Sequence, residues 1–292
     1  MSIPLYVAFT MDCERIAAES PTGGPASKES SIRSISGFCD RLLDAGLPPT
    51  LFCVPECGEY HADLLRDYAE RGVELAMHLH PQTFLDHRYD RYLGEYDRAM
   101  QKQIVGEGLD ILTRAFGTRP TSFRSGNDSA SDETFDLLSE MGFTATSASL
   151  PGRIAPNYAA MWEDAYPFIH WANAENRLEE GSLPLVELPL TTDRSRLTPN
   201  GQSYELRIEH GGLEDLHRRT LETVIPEMEE ADISLHAVCA LTHNVYDYAD
   251  DDDRHTRTLI DLIEWLREVS GREVIGATVA SIREHYATVT GR

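Results

Sequence analysis

The sequence predicts an α/β fold with parallel strands, and three observations predict it. Apolar strand-like runs alternate with amphipathic helical runs along the 292 residues, the pattern made when crossover helices join parallel strands. Glycines stand where helical runs stop before the next strand, at Gly46, Gly72, Gly117, Gly142 and Gly271, the position that favours a left-handed residue. Residues able to do chemistry recur where apolar runs end, and a parallel barrel gathers its functional groups at the C-terminal ends of its strands.

Strands are expected at Leu5–Thr10, Thr50–Val54, Glu74–His78, Ser122–Arg124, Ala145–Ser147, Leu185–Pro189, Ala237–His243 and Glu273–Thr278. Helices are expected at Ser31–Ala45, Glu59–Arg71, Asp90–Phe116, Asp132–Met141, Leu213–Met228 and Asp253–Val269. In the second helix Leu64, Leu65 and Tyr68 share a face, with charges opposite. Residues 149–183 are irregular and rich in Pro, Asn and Trp. They read as a loop or small insertion over one end of a single domain spanning 1–292. The four acids Asp250–Asp253 read as a solvated helix start.

Composition narrows the function classes. Hydrophobic residues make up 41% of the chain, enough for a sizeable core. No apolar run approaches the roughly 20 residues of a membrane span. The opening MSIPLYVAFTMDCE lacks the basic and apolar regions of a leader and reads as a first strand, so a cytoplasmic location is expected. The five cysteines, Cys13, Cys39, Cys53, Cys57 and Cys239, form no CxxC pair. A disulfide framework is not expected, and Cys53, inside TLFCV, reads as a small buried hydrophobe rather than half of a metal pair with Cys57. Asp and Glu number 49 against 26 basic residues, a formal charge of -23, and Lys28 and Lys102 are the only lysines. Such a surface disfavours nucleic acid and anionic membranes as partners and points to adaptation to high salt.

The strand ends carry the candidate site. The first ends in FTMDCE, and the period of two lets Asp12 and Glu14 face one cavity. Alone, this pair would equally fit a cap beside a solvated acid. The third ends in ELAMHLHPQ, where His78 and His80 alternate in the same way. Two histidines with a carboxylate form a common catalytic zinc set with an open position. The fourth ends in SFRSGNDS. Arg124 is costly to bury without a carboxylate and could hold Asp12 ionised, while Gly126, Asn127 and Asp128 turn the chain. Glu187 interrupts the apolar run of VELPLTTD. His243 emerges at the end of HAVCALTH, where it could protonate a leaving group. His236 lies at the opposite end of that run.

Taken in order, these segments resemble the NodB-homology polysaccharide deacetylases. FTMDCE resembles the family's TFDDG strand end. GLPPTLFCVPECGEYHADLLRDYAERGVELAMHLHP resembles its second strand, helix and histidine motif, GTRPTSFRSG its arginine motif, and LTHNVYDY its last histidine motif. The resemblance spans roughly residues 5–285. It implies a deformed parallel (β/α) barrel of about seven strands and metal-assisted hydrolysis of an acetamide or acetyl ester. Asp12 would be the general base, Glu14 and His78 metal ligands, Arg124 the residue orienting the base, and His243 the general acid. The sequence departs from the family at Cys13, where a second Asp is usual, and at Gln82, where an HxxxH spacing would place a histidine. The metal carboxylate is then Glu14, or Asp12 changes role, and His80 substitutes for the missing histidine, or His87 folds in, or the metal site is incomplete. The set expected is Glu14, His78 and His80, holding zinc.

The implied function is removal of an acyl group, acetyl in the first instance, from an amino sugar or glycan precursor. Rival readings are a metal-independent amide hydrolase on the same fold and a non-catalytic carbohydrate-binding relative. The substrate in either hydrolase reading is a carbohydrate or small amide.

The charge excess generates a first prediction. Salt screens the mutual repulsion of surface carboxylates, over a Debye length of about 10 Å at 0.1 M and about 3 Å at 1 M. The melting temperature should climb from low to molar potassium chloride. A melting temperature that is flat or falling above roughly 0.2 M salt would exclude salt adaptation.

Overall fold

The computed structural model describes residues 3–20, 23–268 and 272–292. In chain order its strands are β1 (Leu5–Cys13), β2 (Thr50–Cys53), β3 (Glu74–Leu79), β4 (Ser122–Ser125), β5 (Ala145–Thr146), β6 (Ile154–Ala155), β7 (Ala160–Met161), β8 (His170–Trp171), β9 (Val186–Glu187), β10 (Thr192–Leu197), β11 (Ser203–Glu205), β12 (His236–His243) and β13 (Val274–Gly276). The helices are α1 (Lys28–Asp44), α2 (Pro55–Tyr60), α3 (Ala62–Glu70), α4 (Arg98–Phe116), α5 (Thr134–Glu140), α6 (Arg218–Glu230), α7 (Arg254–Glu268) and α8 (Val279–Thr290).

The main sheet runs β12-β1-β2-β3-β4-β5-β9-β8, with β13 also paired to β1. Every pair along it is parallel except β8 with β9. Strand β1 pairs with three others, β12, β2 and β13. Its sequence LYVAFTMDC is buried at every position but Tyr6, as expected of a strand covered on both faces. The sheet curls until β9 and β12 approach, but no ladder joins them. Irregular chain closes the seam instead. The Thr191 N–H donates to the Cys239 carbonyl at 3.1 Å, Leu206 N–H to Thr191 at 2.8 Å, and Leu241 N–H to Leu206 at 3.0 Å. The result is the deformed α/β barrel that the resemblance implied.

Local chemistry explains where elements begin and end. Ser27 and Ser30 form a reciprocal capping box at the start of α1, and Ile35, Phe38 and Leu42 bury one face of that helix. Gly46, Gly72, Gly117 and Gly142 have positive φ where helices give way to strands. Gly271 and Val269 lie outside the described residues. The helix expected at Glu59–Arg71 is two helices broken at His61, whose φ of -117° leaves the helical region while its ring bonds Ser31 at 3.1 Å. The helix expected from Asp90 starts at Arg98. Before it, the Tyr96 hydroxyl accepts from the Asp90 and Arg91 backbone N–H groups, and Asp97 then caps α4. The helix expected from Leu213 opens with one wide turn, Leu213–His217, before α6. Asp253, the last of the four acids, caps α7 by accepting from His255 and Thr256.

The segment 149–183 holds the β6–β7 hairpin and β8. A second hairpin, β10–β11, was not expected from the sequence. The two hairpins are tied together: Gln202 accepts from the Ile154 N–H and donates to its carbonyl, each at 3.1 Å. All five cysteines are free and buried. None of the described helices is long and apolar enough to cross a membrane.

Helix α1 crosses the turn before α7 at Gly37, where a Cβ would lie 2.2 Å from the Ala249 nitrogen and the Tyr248 carbonyl carbon. Alanine in place of an exposed helical glycine is usually stabilising by roughly 0.5–1 kcal/mol. Here Gly37→Ala should instead destabilise by about 1–3 kcal/mol through overpacking, read as a fall in the denaturant midpoint.

Candidate active site

Parallel register brings the sequence-predicted residues to one end of the barrel. Asp12 on β1 pairs with His243 on β12, and His78 on β3 pairs with Arg124 on β4. Alternation then sorts the side chains. Asp12, Glu14, His78, His80 and His243 all line one cavity of about 270 Å³, together with Ser125, Asn127, Asp128, Arg153 and Arg207. Cys13, between the two carboxylates, is buried away from solvent.

Arg124 does not reach the cavity surface. It is fully buried beneath it, its guanidinium stacked on the Phe52 ring at 4.1 Å. Every direction it offers is used. Nη1 donates to Asp12 Oδ1 at 2.7 Å and to Thr10 Oγ1 at 2.9 Å, while Nε and Nη2 donate to the Ser147 carbonyl and hydroxyl, each at 2.9 Å. Burial pushes the Asp12 carboxyl up, but Arg124, His78 and His243 together hold it below its ordinary range. Asp12 is therefore ionised at neutral pH, with Oδ1 committed to Arg124 and Oδ2 lying 3.8 Å from His78 Nε2.

Beside Asp12, three ligand atoms converge. Glu14 Oε1 is 2.9 Å from His80 Nε2 and 3.3 Å from His78 Nε2, and the two histidine nitrogens are 3.1 Å apart. Ligand atoms about 2.0–2.1 Å from a tetrahedral ion sit roughly 3.3 Å from one another, so the triangle fits a divalent cation. The His78 tautomer fits as well. His78 Nδ1 lies 3.0 Å from the Arg124 carbonyl, which can only accept, so that nitrogen carries the proton and Nε2 is free to ligate. His80 Nδ1 faces the Gln82 amide nitrogen at 3.1 Å; ligation by His80 Nε2 needs that amide turned so that its oxygen, which has no partner among the described residues, accepts the Nδ1 proton. Burial alone would lower the His78 pKa, but the Asp12 and Glu14 carboxylates raise it to about 8. Burial likewise raises the Glu14 carboxyl, and the two imidazoles bring it well below its usual range.

Gln82 thus orients His80 in place of supplying a ligand. His87 bonds the Gln82 carbonyl at 2.8 Å and stands outside the cluster. Gly126 makes room for this arrangement: a Cβ there would lie 2.3 Å from His80 Nδ1. Just beyond it, Asn127 and Asp128 both have positive φ, at 58° and 56°, a strained turn that places their side chains in the cavity.

Across the cavity, His243 Nδ1 lies 2.5 Å from Glu209 Oε1. Burial raises the Glu209 carboxyl, but His243, Arg207 and a backbone N–H together bring it below its ordinary value. Sequence reading missed Glu209. It sits in a short 3-10 turn, Ile208–His210, and only the long-range pairing of Arg207 with Leu241 brings that turn to β12. Arg153 and Arg207 were missed for the same reason, since both lie on irregular chain. Glu187 is structural. Its carboxylate accepts from the Ala148 and Ser149 N–H groups and from the Ser149 hydroxyl. His236 lies at the far end of β12, 3.0 Å from Arg272.

No protein-family model matches this chain, and no curated protein matches it. Solved structures do. Two proteins named as polysaccharide deacetylases superpose over nearly the whole chain. One, from Mycobacterium smegmatis, is 19% identical with a TM-score of 0.62, covering 99% of this chain and 92% of its own. The other, from Pseudomonas aeruginosa PAO1, is 15% identical with a TM-score of 0.60, covering 98% and 92%. The fold is that of the polysaccharide deacetylases. Puue allantoinase shares it at 13% identity and a TM-score of 0.62, over 98% of this chain and 91% of that one. The present site has an HxH pair, with Gln82 where the resemblance placed a histidine.

The buried ion pair is testable on stability alone. Arg124→Met leaves Asp12 buried without its cation and should cost about 3–5 kcal/mol at neutral pH. In the wild type the lowered Asp12 pKa contributes stability that is full above the ordinary carboxylate value and lost only as pH falls below it, through the folded value. Without Arg124, burial pushes the Asp12 carboxyl up, so in the variant it takes a proton at higher pH and the penalty of the unpaired charge goes with it. The deficit of the variant should therefore shrink between neutral pH and about pH 4, as read from denaturant melts at both pH values.

Proposed function

We propose that this chain is a metal-dependent hydrolase that removes an acyl group, acetyl in the first instance, from an amino sugar or glycan precursor. The observation that carries the reading is one cavity holding an ionised, directed carboxylate, a three-atom metal-ligand triangle and a carboxylate-supported histidine. A divalent ion held by Glu14, His78 and His80, zinc by the ligand chemistry, would supply Lewis acidity and lower the pKa of water. Asp12 is the general base. Arg124 fixes its direction through Oδ1 and leaves Oδ2 to accept a proton from the attacking water. His243 is the general acid: Glu209 occupies Nδ1, so Nε2 faces the leaving amine or alkoxide and the carboxylate stabilises the imidazolium. The Ser125 hydroxyl, buried in the cavity wall with no partner among the described residues, is available to a bound acyl group.

Asp12→Asn tests this. It keeps the shape and the Arg124 contact in part but cannot accept the proton, and should reduce acetate release from N-acetylated sugars by about 10²–10⁴-fold with a near-unchanged far-ultraviolet circular dichroism spectrum. Elemental analysis should find near-stoichiometric zinc, and chelation should abolish turnover until zinc is returned. Undiminished activity after exhaustive chelation would replace this reading with the metal-independent amide hydrolase. Absence of acyl release from every sugar and amide tried would favour a binding protein.

A further inference from the structure

The small cavity adjoins a larger one of about 640 Å³ walled by the two hairpins, and Arg153 and Arg207 line both. We propose that these two arginines select substrates bearing an anionic group, a carboxylate or a phosphate, beside the acylated unit, with the rest of the substrate in the larger cavity. This rests on the hydrolase reading and names its substrate class.

The argument begins with hydrogen-bond capacity. A guanidinium offers donors only, so whatever meets these two must be rich in acceptors. Both side chains are largely buried, each 17% exposed. Each is aimed by one carboxylate and only partly used by it. Arg153 Nη1 donates to Asp128 Oδ2 at 2.5 Å, with Nε and Nη2 given no protein acceptor among the described residues. Arg207 presents its Nε and Nη2 edge to Glu205, at 3.1 and 3.2 Å, leaving Nη1 unengaged among the described residues. His210, 3.1 Å from Glu205 on its other side, helps fix that carboxylate.

Charge points the same way. Around the junction Asp12 is matched by Arg124, Asp128 by Arg153, Glu205 by Arg207, and Glu209 by His243 once that ring is protonated. No carboxylate here is left to repel an anion except Glu14, which faces the histidine pair. On a molecule whose formal charge is -23, a neutralised pocket with a spare Arg153 edge and a spare Arg207 Nη1 is a local exception. Planar forks of this kind suit carboxylate and phosphate, and such charge-assisted bonds are about twice as strong as neutral ones. The cavity beyond is walled by Leu150, Tyr158, Pro199 and Tyr204, so it suits a ring or an apolar substituent more than further charge.

The test measures binding apart from chemistry, by calorimetry at one fixed ionic strength on Asp12→Asn protein, and turnover on wild type. The probes are N-acetylglucosamine, its 1-phosphate, and N-acetylmuramic acid. At least one anionic probe should bind about tenfold or more tighter than the neutral sugar, and the same probe should lead in kcat/KM; which one leads decides between phosphate and carboxylate. Arg153→Gln should erase most of that ratio. Arg207→Lys, which keeps the charge and loses the fork, should reduce it. Equal affinity for neutral and anionic probes with both arginines in place overturns the proposal even if every arginine variant fails to fold, as does a ratio that survives both substitutions. Anion preference without acyl release from any probe would instead retain the anion site and remove the hydrolase reading beneath it.

Discussion

The site depends on one buried contact, the 2.7 Å ion pair between Arg124 and Asp12. A guanidinium with no solvent exposure is tolerable only when its donors are all met. Five groups from two strands and a strand end meet them here: Thr10, Asp12, Ser147 twice, and the Phe52 face. The barrel floor is thereby fixed in the same act that fixes the direction of the Asp12 carboxylate. The His78 ring is held by the Arg124 carbonyl, so one residue orients Asp12 through its side chain and His78 through its backbone. Because β1, β3 and β4 are parallel, these contacts need no loop to assemble them.

A second layer of order comes from residues that touch no reacting atom. Gln82 addresses the far nitrogen of His80, Glu209 the far nitrogen of His243, and Gly126 leaves the space in which His80 stands. Such outer contacts set which ring nitrogen carries the proton, and that decides whether a histidine can ligate or donate. Gln82, where the resemblance placed a histidine, bonds His80 instead, and strand alternation sets His80, two residues after His78, beside it.

What was legible in the sequence follows from how locally it is encoded. Asp12, Glu14, His78, His80 and Arg124 each end an apolar run, so period-two alternation and the parallel-barrel rule were enough to group them. The glycine stops at Gly46, Gly72, Gly117 and Gly142 were legible for the same reason. Glu209, Arg153 and Arg207 were not, because no periodic pattern surrounds them. Their placement comes from contacts across the seam, such as Arg207 with Leu241, which sequence spacing does not record. The break at His61 was hidden inside a continuous helical pattern, since its cause is a ring bonded to Ser31 on another helix. The β10–β11 hairpin was missed because its strands, TDRSRL and SYE, are polar and partly exposed and show no apolar alternation.

The open seam between β9 and β12 has an evolutionary consequence. A closed ladder would tie every strand to its neighbours, so lengthening one connection would disturb the register of the rest. Here the chain leaves the ladder after Glu187 and rejoins it at His236, and the β10–β11 hairpin that walls the larger cavity lies in that gap. Lengthening, shortening or replacing this hairpin need not shift a rung beneath Asp12 or His78. The scaffold therefore separates a floor held by strand register from a wall that can be exchanged above it.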